Sequence, residues 1–128
     1  MEYRQLTEEE IRQLEDNNCW AEDWQRVTVA EEFMPNSIKN VTFYGDVRLG
    51  VFEKTIEVSQ GFLRRSGVYN ATLRNVTIGN NSLIENIGNY INNYVIGSDC
   101  YISNVCTMET TEGATYGEGN IIAVLNEV

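Results

Sequence analysis

The chain has 128 residues, 42% of them apolar and 22% charged, and carries a formal net charge of −10. One domain accommodates this length, and the composition is that of a folded globular chain and excludes disorder. An acidic chain without a basic patch repels phosphate backbones, and no apolar run approaches the ~20 residues of a membrane span, so we expect neither nucleic acid nor a membrane as a partner.

The first 33 residues are acidic and contain a predicted helix. They hold ten acids against three bases (−7), whereas residues 34–128 hold nine against six (−3). Thr7 and Glu10 can form a capping box, in which each side chain accepts from the backbone amide of the other. We therefore predict that residues 1–33 form an acidic N-terminal helical cap, with an acidic partner-binding helix as the alternative. The helix should end at Asn17 and Asn18 and pack on Trp20, Trp24, Val27 and Val29.

From Ile38 onward, large apolar residues recur every five to seven positions. They are Phe43, Leu49, Ile56, Phe62, Val68, Leu73, Ile78, Ile84, Tyr90, Ile96, Ile102 and Met108. Neither the ~3.6-residue period of a helix nor the alternation of a strand gives this spacing. Three six-residue sides make an 18-residue triangular coil, so we predict that Ile78 stacks on Ile96 and Ile84 on Ile102.

Residues 78–83, 84–89 and 96–101 carry a resemblance to a known family. Each segment has an aliphatic residue first and a small residue fifth, and this pattern resembles the hexapeptide repeat of the acyltransferase-like superfamily. The resemblance implies an all-β fold, a left-handed parallel β-helix of about four triangular coils over residues 34–128, preceded by the short α-helical cap. The N-terminal part is also similar to the start of longer uncharacterised bacterial proteins.

A second repeat pattern competes with the first. Residues 70–84 form three pentads that resemble pentapeptide repeats, which build a four-sided right-handed helix. The pentads stop at Ile84, whereas the hexads continue through Ile102, so the triangular coil is the favoured prediction. Asparagine is abundant between residues 70 and 93, and asparagine tolerates the left-handed conformation that tight turns require.

The six-residue pattern ends after Met108. Residues 109–119 are rich in threonine and glycine and are predicted as a loop, in which Tyr116 could stack on a ligand. Residues 121–125 are predicted as a buried strand. Because an apolar strand at an open edge pairs readily with another chain, we expect a further C-terminal region or a partner subunit to cover it.

The chain contains no histidine, and this bears directly on activity. The resemblance implies a histidine as general base, a role that suits a side chain whose pKa lies near neutrality. We therefore predict no catalytic residue, and the sequence shows no cluster of metal ligands. The candidate ligand-binding residues are Arg64 and Arg65, which could clamp a phosphate, and Tyr116.

The cysteines and the N-terminus indicate the compartment. Three cysteines without C-x-x-C spacing argue against a disulfide framework, and the first residues lack the features of a signal peptide, so we predict a cytoplasmic protein. Cys100 and Cys106 occupy small inward positions where a buried thiol is inert, and Cys19 should pack against the helical segment. Glu85 and Asp99 are expected in solvated turns.

These observations predict a non-catalytic β-helix scaffold or assembly module, part of a larger hexapeptide-type transferase-like protein. The alternative is an acyl- or nucleotidyltransferase acting on a sugar or sugar nucleotide, whose catalytic base lies outside this chain. No cofactor is evident, and only the alternative would use a coenzyme A thioester. The predicted partner is a second copy of the chain, in a trimer by resemblance, with outward contacts from Tyr44, Leu63, Tyr69, Ile91 and Tyr101.

Overall fold

A computed structural model describes residues 2–116 and 121–123. Helix α1 spans Glu8–Asp16, and single turns of 3-10 helix lie at Trp24–Arg26 and Pro35–Ser37. The strands are β1 (Tyr3–Gln5), β2 (Trp20–Ala21), β3 (Val27–Ala30), β4 (Ile38–Leu49), β5 (Thr55–Ser59), β6 (Phe62–Arg65), β7 (Gly67–Ile78), β8 (Leu83–Glu85), β9 (Tyr90–Ile96), β10 (Tyr101–Ser103), β11 (Thr107–Tyr116) and β12 (Ile121–Ala123).

Ten of these strands form one mixed sheet, in the order β1-β3-β4-β7-β8-β10-β12, with β2 on β4 and β9 between β7 and β11. Strands β1 and β3 are antiparallel, whereas the other pairs in this sheet are parallel. Strands β5 and β6 form a separate antiparallel hairpin. The predicted left-handed parallel β-helix of about four triangular coils is therefore wrong: the described residues form a mostly β structure with one helix and no closed coil.

The uneven spacing of paired residues explains this difference. Paired residues are 18 positions apart at Ile78–Ile96 and Ile84–Ile102, as the apolar pattern predicts. The separation is 30 positions at Ile38–Val68 and 16 at Gly67–Leu83. A uniform coil needs one spacing throughout, and the hairpin inserted between β4 and β7 breaks that condition.

Residues with positive φ bend the two longest strands. Within the strands they are Asn40 and Gly45 in β4, and Asn70 and Asn75 in β7, and Gly67 at the start of β7 also has positive φ. Glycine, and less readily asparagine, adopts this left-handed conformation, which confirms the role predicted for the asparagines. The bends in β7 let its first residues pair with β8 and its last residues pair with β9.

Four asparagines with positive φ are joined by their side chains: Asn18, Asn40, Asn70 and Asn86. The Nδ2 atom of Asn18 donates to Oδ1 of Asn40 at 2.8 Å, and Nδ2 of Asn40 donates to Oδ1 of Asn70 at 2.8 Å. Asn70 in turn donates to Oδ1 of Asn86 at 3.0 Å. We call these four residues the asparagine ladder. It joins exposed residues of successive parts of the chain, from the end of α1 through β4 and β7 to the residue after β8.

The core is built from aliphatic side chains that lie directly opposite one another on paired strands. Its largest fully buried side chains are Phe43, Phe52, Leu14, Ile38, Leu49, Leu73, Ile78, Leu83, Ile84, Ile91, Ile96 and Ile102. Ile91, predicted to point outward, is 0% exposed because it pairs with the buried Leu73. Ile56 and Phe62 fit the six-residue pattern but lie in the hairpin, outside this core.

The N-terminal helix follows its predicted capping. Thr7 Oγ1 accepts from the Glu10 amide at 3.1 Å, and Glu10 Oε1 accepts from the Thr7 amide at 2.9 Å. Leu14 is fully buried, and its carbonyl accepts from the amide of Cys19 at 2.9 Å, so Cys19 packs against the helix as predicted. Trp20, predicted to hold the helix, is 53% exposed instead.

Arg4 strengthens this cap. Its Nη1 and Nη2 atoms donate to the two carboxylate oxygens of Glu10, each at 2.8 Å. The hydrogen bond from Arg4, aided by the amide of Thr7, lowers the pKa of Glu10. The contribution of this ion pair to stability is therefore complete above the unfolded-state pKa of about 4.3 and is lost as pH falls through the lower folded-state value.

We expect Glu10→Gln to lower the free energy of unfolding by about 1 kcal/mol at neutral pH, because it weakens a two-pronged ion pair that is partly open to solvent. The difference from wild type should be constant between about pH 6 and 8 and shrink below about pH 5. Urea unfolding at several pH values measures it. Glu9→Gln, which removes the exposed pair with Arg12, is the control and should cost about 0.5 kcal/mol or less. A difference that grows on acidification would contradict the assignment.

Candidate functional site

Strands β4, β7, β9 and β11 present a continuous row of polar and aromatic side chains on one face of the sheet. In register, Tyr44 lies opposite Arg74, which lies opposite Asn92, and Asn92 lies opposite Glu109. Residues directly opposite on paired strands point to the same side, so these four side chains share a face. We call this surface the four-strand face. Its cavity has a volume of about 270 Å³ and is lined by Tyr44, Thr72, Arg74, Tyr90, Asn92 and Glu109.

Glu109 organises the polar groups of this cavity. Its Oε2 accepts from the Tyr90 hydroxyl at 2.8 Å, and its Oε1 accepts from Nδ2 of Asn92 at 3.3 Å. The hydrogen bond to the carboxylate raises the pKa of Tyr90. The Oδ1 atom of Asn92 is buried, and no donor among the described residues reaches it. The cavity therefore contains a carboxylate that two hydrogen bonds hold in place.

The other side of the cavity is cationic and aromatic. The side chain of Arg74 is exposed and forms no ion pair or hydrogen bond within residues 2–116 and 121–123. Tyr44 borders the cavity, and its ring centroid lies 5.7 Å from that of Trp20 in an edge-on contact. Trp20 thereby extends the aromatic part of the four-strand face toward the N-terminal segment.

The hairpin of β5 and β6 is a second candidate site. Gly61, with φ of 82°, lies in the turn, and every residue of β6 is exposed. Phe62 is 68% exposed and Leu63 is 65% exposed, the two highest values among the large apolar residues of the described chain. A two-stranded hairpin alone is at best marginally stable in water, so this one needs contacts with the rest of the chain.

Arg64 and Glu85 supply that contact. An Nη2 atom of Arg64 lies 3.0 Å from Oε1 of Glu85, which is only 4% exposed. The other carboxylate oxygen of Glu85 accepts from the hydroxyls of Tyr101 and Ser103, each at 3.1 Å. The guanidinium of Arg64 also lies 5.6 Å from the ring centroid of Tyr69. The hairpin is therefore attached to the sheet through a buried carboxylate.

The prediction that Glu85 lies in a solvated turn is wrong. It is in β8, where it pairs with Tyr69 on one side and Ser103 on the other, and this packing removes it from solvent. Asp99 is exposed and adopts φ of 58°, so its turn prediction is confirmed.

The predicted ligand-binding residues are not brought together. Arg64 contacts Glu85, whereas Nη2 of Arg65 donates to the Phe52 carbonyl at 3.2 Å. These separate contacts lend no support to a phosphate clamp, which stays a prediction. The backbone of Tyr116 pairs with Ile96, and the side chain of Tyr116 lies outside the described part of the chain.

The structure also differs from the predicted loop at 109–119. Residues 109–116 belong to β11, which pairs with β9 in two blocks separated by a register shift between Glu109 and Ala114. Residues 117–119 lie outside the described residues. The threonines suit a strand as well as a loop, and pairing with β9 decides between the two.

Cysteines and metal ligands offer no reactive centre in the described chain. Cys100 is fully buried and burial raises the pKa of Cys19, so both suit a packing role. Cys106, predicted to be buried, is only partly so, and Nδ2 of Asn89 lies 3.3 Å from its sulfur. No group of three metal-ligating side chains occurs in the described residues, and no described helix is long and apolar enough to cross a membrane.

Comparison with known proteins identifies the relatives of this chain. Residues 3–128 match the model of a family described as a domain of unknown function, DUF4954. An uncharacterized protein of Treponema pallidum (strain Nichols) is 31% identical over 119 residues, which cover 93% of this chain and 16% of the relative. The chain thus spans about one sixth of the length of that relative. The resemblance to the hexapeptide acyltransferase-like superfamily is therefore wrong, because the match is to an uncharacterised family.

Proposed function

The chain belongs to the DUF4954 family, and from this premise we propose that it is a non-catalytic assembly module of a longer protein, which self-associates through the β5–β6 hairpin. The observation that carries the proposal is the pair Phe62 and Leu63, exposed side by side on a hairpin that Arg64 fixes to a buried carboxylate. The small share of the Treponema relative that the chain covers supports its being one part of a longer protein.

A second copy of the chain is the partner that the charges favour. Residues 54–65 hold three bases against one acid, whereas residues 1–33 carry −7. Lys54 and Arg64 already pair with Asp99 and Glu85, so Arg65 is the base of the hairpin that is left to attract the acidic N-terminal segment of another copy. The exposed Met34, beside Glu31 and Glu32, offers apolar surface at that segment for Phe62 and Leu63.

The contacts that hold the hairpin to the sheet make it suitable for docking. The Lys54 amide donates to Ser66 Oγ at 3.1 Å, and the Ser66 amide donates to the Lys54 carbonyl at 2.7 Å, so the base of the hairpin is closed. Together with the Arg64–Glu85 contact, this closure fixes the hairpin before binding. A surface that is already ordered loses less conformational entropy when a partner binds it.

We expect the double variant Phe62→Ser, Leu63→Ser to raise the dissociation constant of the oligomer at least about thirtyfold, because it removes two apolar side chains from the contact. Sedimentation velocity over a range of protein concentrations measures the change. Val95→Ser, at an exposed apolar residue of β9 outside the hairpin, is the matched control and should leave association unchanged. Added salt should also weaken association, since the charges involved are exposed.

Two outcomes would refute this function. The first is a chain that stays monomeric at every concentration, and the second is a double variant that associates as strongly as wild type. The subunit number is read from the same measurement, because the trimer was implied only by a resemblance that the family match overturns. The transferase alternative, with its coenzyme A thioester, has no structural observation in its favour.

A cytoplasmic location is part of the same proposal. Among the described residues, Cys19 and Cys106 are free thiols, and a reducing compartment keeps thiols in that state.

A further inference from the structure

We infer that the cavity of the four-strand face binds a neutral saccharide group, independently of the self-association proposed above. The cavity, at about 270 Å³, is slightly smaller than the ~300–1,000 Å³ pockets that hold drug-sized ligands, so it suits a group of the size of one sugar ring. Because the cavity lies on the outer face of the sheet, it could also take the terminal sugar of a longer saccharide.

The polar groups of the cavity suit a ligand that both donates and accepts. The exposed acceptor of the cavity is the Glu109 carboxylate, whereas Asn92 Oδ1, which no donor among the described residues reaches, is buried. Arg74, without an ion pair in the described chain, offers donors to hydroxyl oxygens. The Glu109 carboxylate is already held by Tyr90 and Asn92, so its orientation is set before a ligand arrives. The neighbouring hydroxyls of a sugar ring can donate to the carboxylate and accept from the guanidinium at the same time.

The aromatic rings and the charge balance distinguish a saccharide from other ligands. Tyr44 and Tyr90 line the cavity and can contact the C–H faces of a sugar ring. One cation, Arg74, is balanced by one anion, Glu109, so the cavity does not favour a phosphate. Its mixed polar lining does not favour a lipid chain either.

The experiment is a titration of the ¹⁵N-labelled chain with cellobiose, maltose and N,N′-diacetylchitobiose, with inorganic phosphate as the competing ligand class. At least one disaccharide should give saturable amide shifts in the millimolar range, confined to the strands that line the cavity. Arg74→Ala and Tyr44→Ala should each weaken that binding about tenfold or more, because each removes a direct contact. Arg48→Ala is the matched control, since Arg48 is also exposed but faces the ring of Tyr3 at 5.9 Å.

The spectrum of each free variant checks its fold before titration, and Glu109→Gln, which keeps the side-chain size, serves if an alanine variant misfolds. Three results would overturn the inference. They are no shift with any of the disaccharides at high millimolar concentration, shifts with phosphate alone, and disaccharide binding that all cavity variants retain at wild-type strength.

Discussion

Replacing Ile84 with alanine is expected to lower the free energy of unfolding by about 2–5 kcal/mol, the range for a large aliphatic side chain removed from a packed core. Ile84 is 0% exposed and lies directly between Val68 and Ile102 on the paired strands. The truncation would therefore leave a cavity lined by Val68 of β7 and Ile102 of β10. Urea denaturation followed by circular dichroism measures the loss.

Two further variants separate packing from other causes. Ile84→Val removes one methylene group and should cost about 0.5–1.5 kcal/mol. Val95→Ala, on the exposed side of β9, should stay within about 0.5 kcal/mol of wild type. If Ile84→Ala cost no more than Val95→Ala, Ile84 could not occupy the centre of the core.

Asn70→Ala is expected to cost about 2–3 kcal/mol, of which about 1–2 comes from placing alanine in a left-handed conformation and the rest from two lost hydrogen bonds. Asn70 has φ of 56° and is an interior member of the asparagine ladder, with bonds to Asn40 and Asn86. The hydrogen bonds are exposed, so each contributes little. Thermal and urea unfolding both measure the change.

Asn70→Gly separates these two contributions. Glycine adopts the left-handed conformation without strain but makes no side-chain hydrogen bond, so this variant should cost less than Asn70→Ala. The difference between the two variants gives the conformational part. A glycine variant that is less stable than the alanine variant would show that backbone strain is not the main cause of the stability lost in Asn70→Ala.

The sequence predicts the parts of this fold that depend on local signals. The capping box of Thr7 and Glu10 needs only residues three apart, and the structure confirms it. The pairing of Ile78 with Ile96 follows from a constant spacing that holds in that part of the chain. The sequence does not reveal the hairpin, because Ile56 and Phe62 fit the same apolar spacing by coincidence, although Gly61 is a typical turn residue.

The four-strand face could not be predicted in the same way. Tyr44, Arg74, Asn92 and Glu109 are separated by 30, 18 and 17 residues, so no short motif contains two of them. Their proximity depends on strand register, which changes along the chain. The burial of Glu85 is hidden from the sequence for the same reason, since the hydroxyl of Ser103 that contacts it comes from a strand 18 residues further on.

The asparagine ladder runs in a single direction, because each amide donates to the one that follows it. The interior positions 40 and 70 thus need a side chain that gives one hydrogen and takes another, whereas Asn18 gives and Asn86 takes. Aspartate tolerates the same backbone shape but has no hydrogen to donate to the next rung. Conversion of Asn70 to aspartate would therefore remove the hydrogen that it donates to Asn86, whereas the same conversion at position 86 would leave the bond from Asn70 in place.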